Sequence, residues 1–461
     1  MTLTHFEVIQ GDEHLTSHSG LALVGALLDR SGLRKACDGI VGAVPVRDGF
    51  SLGELGVAMT GLICLGKPDF DAIEEQRSQP FFAQSLGLSS CPSSPTLRQR
   101  LQAAESSLDD VVRKSSREVL GRTARRISGI HSGRHGELVP FEMDVVVFDN
   151  SKTQKEGIAF TYHKNMGFAP IFTHVGCEGY MVDVLLREGN KHSQDATTPA
   201  FLRSSLQYAR EILGNSDTRY LYARFDAGFD SQENLTICEE NGVYFTVSRN
   251  RRNETVEQWL EIAKTCGAVM TPRPGKTVWI GETTKKAGGI DRRVIFEVIE
   301  RTSKRVPDGF QQLIMPEYEI ETLWTNLEDT PQEVLDSYHG RGTSEQFHSE
   351  IKTDLDLERL PSGTFATNQL ILLLGMLSYN CLRLIGQEAI CDDQSIPQET
   401  KAPLRKHIKR RRIRSVIDDL IHMAARVIFS ARRWKLAFGR HCPWAKTWAR
   451  IYDSFFIPIR T

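Results

Sequence analysis

A change of texture near Glu137 constrains the fold of this chain more than any other feature. Before it, apolar residues recur at helical spacing. They do so in LALVGALLDRSGL (21–33), SLGELGVAMTGLICLG (51–66), FDAIEEQRSQPFFAQSLGL (70–88) and CPSSPTLRQRLQAAESSLDDVVRKSSREVLGRTARRI (91–127). After it, VPFEMDVVVFDN (139–150) is a β-branched run that ends in polar residues, which reads as a strand and turn. FAPIFTHVG (168–176) and YMVDVLLREGN (180–190) read as two further strands. TPAFLRSSLQYAREIL (198–213) is an amphipathic helix, and RYLYARFDAGF (219–229) is a fourth strand. SQENLTICEENG (231–242) is a short helix that stops at Gly242, and VYFTVSRN (243–250) is a fifth strand. Three consecutive strands, a helix, a strand, a helix and a strand make an α/β sheet of mixed direction.

The rhythm breaks over 251–335, where KTVWIGETTKK, RRVIFEVIERTS and YEIETLWTNL suggest an inserted β-rich domain, and helices resume near Pro331. The expected organisation is a helical region over 1–130, a sheet domain over 136–250, the β-rich insertion over 251–335 and the rest of the sheet domain over 336–395. A basic, helical tail is expected over 396–461. Two to four domains suit 461 residues.

A net charge of -1 hides an asymmetry: from Lys401 to Arg450 there are fifteen Lys or Arg against two acids, Asp418 and Asp419. A basic tail on an acidic body is a footprint of phosphate binding, although a solvated helical surface has the same composition. In the helix opened by Ser93 or Ser94 and Pro95, Arg98 and Arg100 occupy the first turns, where a recognition helix meets DNA. Nine cysteines stand singly with no Cys-x-x-Cys pair, which argues against a zinc module or a disulfide framework. No Walker loop links the chain to ATP. The opening MTLTHFEVIQGDEHL lacks the basic start and apolar core of a signal peptide, and the apolar runs near 21–28 and 370–377 fall short of a bilayer span. A soluble cytoplasmic chain with no membrane partner is therefore expected.

Cleavage of a phosphodiester by two divalent ions needs several carboxylates converging on one point. Strand ends are good donors in open α/β sheets. Asp144 lies in the first strand and Asp226 closes the fourth; Glu142 shares the side-chain parity of Asp144 and is a candidate supporting acid. Asp149, in the FDNS turn, is a rival first ligand, although Asp is also usual there for turn geometry. A third acid is expected from a helix laid on the sheet. In SYHGRGTSEQFHSEIKTDLDLERL (337–360), Tyr338, Arg341, Glu345 and Lys352 fall within roughly a 60° sector at ~100° per residue, and Glu350 points elsewhere. One acid, two cations and a phenol suit a metal ligand flanked by phosphate contacts; an i, i+4 salt-bridge ladder on an exposed helix would look the same.

The spacing Tyr-x2-Arg-x3-Glu-x6-Lys, met at all four positions, resembles the signature of a large branch of bacterial insertion-sequence transposases with an RNase H-like catalytic domain. FDNSKTQKEG (148–157), LLREGN (185–190), RFDAGF (224–229) and FATNQLILLLGMLSYN (365–380) come in the order of that family. The resemblance covers about residues 50 to 385. It implies a metal-binding Asp–Asp–Glu triad of Asp144, Asp226 and Glu345, with Tyr338, Arg341 and Lys352 handling DNA. It also implies Mg2+ (with Mn2+ as a substitute), double-stranded DNA partners in the form of transposon ends and target, a homodimeric synaptic complex, and a bacterial cytoplasmic setting at the nucleoid. The expected activity is cut-and-paste transposition. A catalytically silent DNA-binding derivative and a nuclease without strand transfer are the alternatives. Two positions depart from the family pattern: Val146 stands where a hydroxyl residue is common, and Ala227 where Ser is common. Trp324 is either a core residue or one that stacks on an extruded base, and Arg187, Lys191 and His192 stand in a strand-exit loop.

Overall fold

The computed structural model describes residues 6–40, 49–124, 127–306, 309–391 and 408–456. The chain divides into two compact units, one built from Met1–Thr123 with Thr353–Thr461 and the other from Ala124–Lys352.

In the first unit, helices α1 (Leu21–Ser31), α2 (Leu52–Cys64), α3 (Ser94–Ala104) and α4 (Asp109–Thr123) realise the helical spacing of the sequence. Ser51 and Glu54 form a capping box at the start of α2, and Ser93 Oγ receives the Thr96 amide at the start of α3. Every residue of α2 is buried.

The second unit is organised by one sheet. Its strands are β1 (Gly136–Val145), β2 (Ile171–Val175), β3 (Tyr180–Leu185), β4 (Leu221–Phe225) and β5 (Tyr244–Ser248), with helices α5 (Thr198–Leu213) and α6 (Gln232–Glu240) between the later ones. Next come α7 (Val256–Cys266), β6 (Ala268–Arg273), β7 (Lys276–Ala287), β8 (Ile290–Val306), β9 (Gly309–Thr325) and α8 (Pro331–His339). The strand order is β6-β7-β8-β9-β5-β4-β1-β2-β3, with the short strand Ile130–Ser132 paired to β1. β4 runs parallel to both β1 and β5, and the other neighbours are antiparallel.

β1 has neighbours on both sides, and its residues from Leu138 to Met143, Glu142 included, form an unbroken buried run. The residues expected as a separate insertion over 251–335 instead extend this sheet, because β9 pairs with β5 through Thr246↔Thr325 and Val247↔Trp324. Trp324 is buried there and donates Nε1–H to Asp230 Oδ1 at 2.8 Å, which makes it a core residue. Leu138, Tyr222, Ile295, Leu323, Val334, Leu335 and Tyr338 share one apolar cluster, which fixes α8 against the sheet.

The chain returns to the first unit at Thr353. There α9 (Phe365–Ile390) is 26 residues long, and its apolar centre is wholly buried between helices that include α2 and α4. It is the one helix among the described residues long and apolar enough to cross a bilayer, a length hidden in the sequence by its polar Asn, Gln and Ser positions. Two of these are used inside: Asn380 donates to Ser116 Oγ at 2.9 Å and Ser378 Oγ to the Leu374 carbonyl at 2.8 Å. Residues 336–395 therefore divide between the two units. The tail expected to be helical contains a β-hairpin, β10 (Ala425–Ser430) and β11 (Arg433–Phe438), before the helix Ala445–Ser454. Of its basic residues, those in 401–407 lie outside the described residues.

Candidate active site

Asp144 lies one residue before the end of β1, and Asp226 directly succeeds the last residue of β4, the strand beside it. Asp226 Oδ1 accepts the Gly228 amide at 2.9 Å and so caps the short 3-10 turn Ala227–Phe229. The turn is held by the aspartate itself, so Ala227 costs it nothing.

Burial pushes the Asp144 carboxyl up to about 7; Arg341 opposes this, and the neighbouring charges of Asp226 and Glu142 add to it. Two acids at adjacent strand ends thus repel each other in a poorly solvated place. Asp149 is exposed, and its Oδ1 accepts the Ser151 amide at 2.9 Å and hydroxyl at 2.6 Å. That is the turn role open to it from the sequence, and it leaves Asp144 as the acid beside Asp226.

Three members of the Tyr338–Lys352 stripe reach the same strand ends. Arg341 Nη2 donates to Asp144 Oδ2 at 3.0 Å, and its Nε lies 3.3 Å from Glu142 Oε2. Tyr338 donates its hydroxyl to the Phe225 carbonyl at 3.1 Å, and Lys352 Nζ to the Val147 carbonyl at 3.0 Å. Glu345 does not join them; it is exposed.

The cause is a broken helix. After α8 comes a 3-10 turn, Gly340–Thr343, then the short helix Ser344–Ser349, then a π turn, Glu350–Asp354. Gly340 and Gly342 weaken the α-helix between them. Four residues at ~120° rather than ~100° rotate the short helix by about 80°, enough to carry Glu345 out of the Tyr338 sector. The wider π turn rotates less per residue and brings Lys352 back. Phe347 anchors the short helix against Gly179, whose positive φ of 70° and lack of a side chain admit the ring: a Cβ there would lie 2.2 Å from Cζ. Glu350, which α-helical phase turns away from the stripe, is buried.

Arg224 completes the arrangement and was not anticipated from the sequence. It stands directly opposite Glu142 on the parallel strand, forms a buried ion pair with it, and donates Nη1–H to the Ser337 carbonyl at 2.8 Å. Glu142 thus lies between two guanidiniums, and Arg224 ties β1 and β4 to the last turn of α8. The available sequence signal was its position two residues before Asp226, on the same face of the strand.

Other expected sites lie elsewhere. Arg98 pairs with Asp71 at 3.0 Å and covers the Phe70 ring, whereas Arg100 is only 6% exposed. Helical phase turns Arg100 into the first unit rather than toward a DNA surface. Arg187 is buried and donates to the Ala169 carbonyl at 3.0 Å and the His192 carbonyl at 3.1 Å, so it braces the strand-exit loop.

Hard oxygen donors on two neighbouring acids, only one of them held by a guanidinium, fit a divalent cation held by Asp144 and Asp226. Among the described residues, no group of three or more His, Cys, Asp or Glu side chains is arranged to hold one.

The profile of the family described as "Transposase DDE domain group 1" matches residues 6–456. No curated protein matches. Among solved structures, the piggyBac transposase synaptic complex with hairpin DNA, solved by cryo-EM, is similar at 9% sequence identity and a TM-score of 0.40. That likeness covers 90% of this chain and 82% of the other. With a profile that spans both units and the two strand-end aspartates, the chain belongs to the DDE transposase family, domain group 1.

Proposed function

We propose that the protein is a DNA transposase of a bacterial insertion sequence. In this reading it binds the terminal inverted repeats and cuts and joins DNA at an RNase H-like site built on Asp144, Asp226 and Glu345. The observation that carries it is the half-buried, mutually repelling Asp144–Asp226 pair at adjacent strand ends, framed by Arg341, Tyr338 and Lys352. The order of β1, β2, β3, α5, β4, α6 and β5, with β4 parallel to β1 and β5, supports the RNase H-like assignment.

DDE transposases use divalent metal ions, and Mg2+ is the ion we assign, with Mn2+ as its substitute. When bound, such ions lower the pKa of water and stabilise the attacking and leaving oxygens of a phosphodiester. Asp144 and Asp226 are the residues that would hold them, and Glu345 is the third donor we assign. Arg341 holds Asp144 in place and offsets part of its charge. Lys352 and Tyr338 place an ammonium and a phenol beside the two strand ends, where a DNA phosphate would lie. Two transposon ends and a target duplex would be the substrates, brought together by a homodimer.

The test is incubation of labelled transposon-end DNA and target with Mg2+, comparing wild type with Glu345→Gln. Wild type should release a 3′-hydroxyl end and join it to target, and the variant should do neither. Equal activity in both would refute the triad. Cleavage without joined products would favour a nuclease. The exposed Glu345 and the Arg341–Asp144 ion pair favour one second reading, a DNA-binding derivative without cleavage. End binding by wild type with no cut product would establish it.

A further inference from the structure

The hairpin β10–β11 is joined by the two-residue turn Ala431–Arg432, both with positive φ (51° and 61°). This conformation suits the right-handed twist of a tight hairpin. Its register pairs Phe429 with Trp434, Val427 with Leu436 and Ala425 with Phe438, which puts all six on one face. The opposite face carries Arg426 against Ala437, Ile428 against Lys435 and Ser430 against Arg433. At the root the apolar face is covered: Ala425 is buried, and Phe438 meets Trp448 with ring centroids 5.1 Å apart. Toward the tip it is not. Phe429 and Trp434 are each 59% exposed, with their rings 4.7 Å apart.

The charge around this ribbon has one sign. From Leu420 to Tyr452 there is no Asp or Glu, and seven Lys or Arg fall in that stretch. Arg426, Arg432, Arg433 and Lys435 are exposed, and among the described residues none forms an ion pair. The tail's earlier cations differ. Arg411 pairs with Asp419, and Arg412 holds the buried Asp354 through Nε at 2.8 Å and Nη2 at 2.9 Å. Those charges are engaged by carboxylates of the same unit, whereas the ribbon's exposed charges have no acid beside them among the described residues.

We infer that β10–β11 is a DNA-binding ribbon that grips the phosphate backbone through Arg426, Arg433 and Lys435 and stacks unpaired bases on the Trp434–Phe429 pair. Naming DNA as the ligand rests on the proposed function. The choice among polyanions comes from the pairing of free guanidiniums with exposed aromatic faces, since stacking on a base needs a flat aromatic and phosphate recognition needs a fork of donors. Leu15 and Thr16 pair with Arg426 and Ala425 at the root, and beyond that pairing the hairpin is two-stranded and narrow enough to enter a DNA groove. A cross-strand aromatic pair steadies a hairpin whether or not it binds anything, so the test must separate binding from stability.

The full chain would be titrated by fluorescence anisotropy against one mixed-sequence oligonucleotide in three forms: single-stranded, fully paired, and paired around a central unpaired bubble. Changing Arg426, Arg433 and Lys435 together to Gln should weaken all three and reduce the salt slope by about two to three phosphate contacts. Trp434→Ala should weaken single-stranded and bubble binding about tenfold, with a smaller effect on the paired form and no change in salt slope. Trp434→Phe should restore most of that loss. Unchanged affinities in both variants would overturn the inference, as would a Trp434→Ala effect on melting temperature alone. Binding to phosphatidylglycerol vesicles in place of DNA would also overturn it. Cleavage by Glu345→Gln tests the catalytic reading separately, so either claim can fail without the other.

Discussion

Asp144 shows how one residue's surroundings set its chemistry. An acid raised from its ordinary range to about 7 is protonated in the native state while it would be ionised in the unfolded chain. The unfolded state therefore binds fewer protons between pH about 4 and about 7, and the contribution of Asp144 to stability falls as pH rises across that window. Asp144→Asn removes the effect. Thermal melts should show the variant level with wild type near pH 4 and increasingly more stable toward pH 7, with a constant gap above it. A gap that shrinks with pH would contradict the placement. His348 works in the opposite sense. Burial first, then Arg341 and Lys352, push its imidazole down to about 4, so its contribution is present above pH 6.5 and lost as pH falls through 4. The position of both aspartates beside a strand end was readable from the sequence, since each follows a hydrophobic run. Arg224 was not, because its partner Glu142 lies 82 residues away and only strand register brings them together.

At the scale of elements, the alternation from β1 to β5 was legible because each strand and helix carries its own local signal: a β-branched run, a capping Ser231, or Gly214 after α5. Local signals do not carry which strand lies beside which. Three of the four strands after α7 were legible as β structure and β6 was not, and the pairing of β9 with β5 joins residues about eighty positions apart and turns an expected insertion into a sheet extension. The helix bearing the site was misjudged for a different reason: constant phase fails where Gly340 and Gly342 admit a 3-10 turn. The C-terminal hairpin did leave a signal, since Val427 and Phe429, then Trp434, Leu436 and Phe438, alternate on either side of a two-residue turn. Its Lys and Arg content masked that pattern. Because α8 positions Tyr338 through the shared apolar cluster, Leu335→Ala should cost about 2–5 kcal/mol of stability in urea unfolding and lower cleavage with it. A stable variant with full activity would show that α8 does not depend on this packing.

Across the whole molecule, charge is sorted by use. The acidic body brings two carboxylates together at adjacent strand ends, and the basic tail divides into arginines paired with Asp419 and Asp354 and an exposed ribbon. Arg412→Ala, which strips the buried Asp354 of a two-bond partner, should lower stability by about 1–3 kcal/mol and leave the salt slope of DNA binding unchanged. Neutralising the ribbon should do the reverse. Paired melts and salt titrations of the two variants would show whether the roles separate.

A divalent-metal centre formed by Asp144 and Asp226 is checked by titrating the full-length protein with Mn2+ and monitoring free ion by electron paramagnetic resonance. Wild type should bind Mn2+ saturably and in competition with Mg2+, and Asp144→Asn and Asp226→Asn should each lose that binding while remaining folded. Equal Mn2+ binding in wild type and both variants would contradict the account.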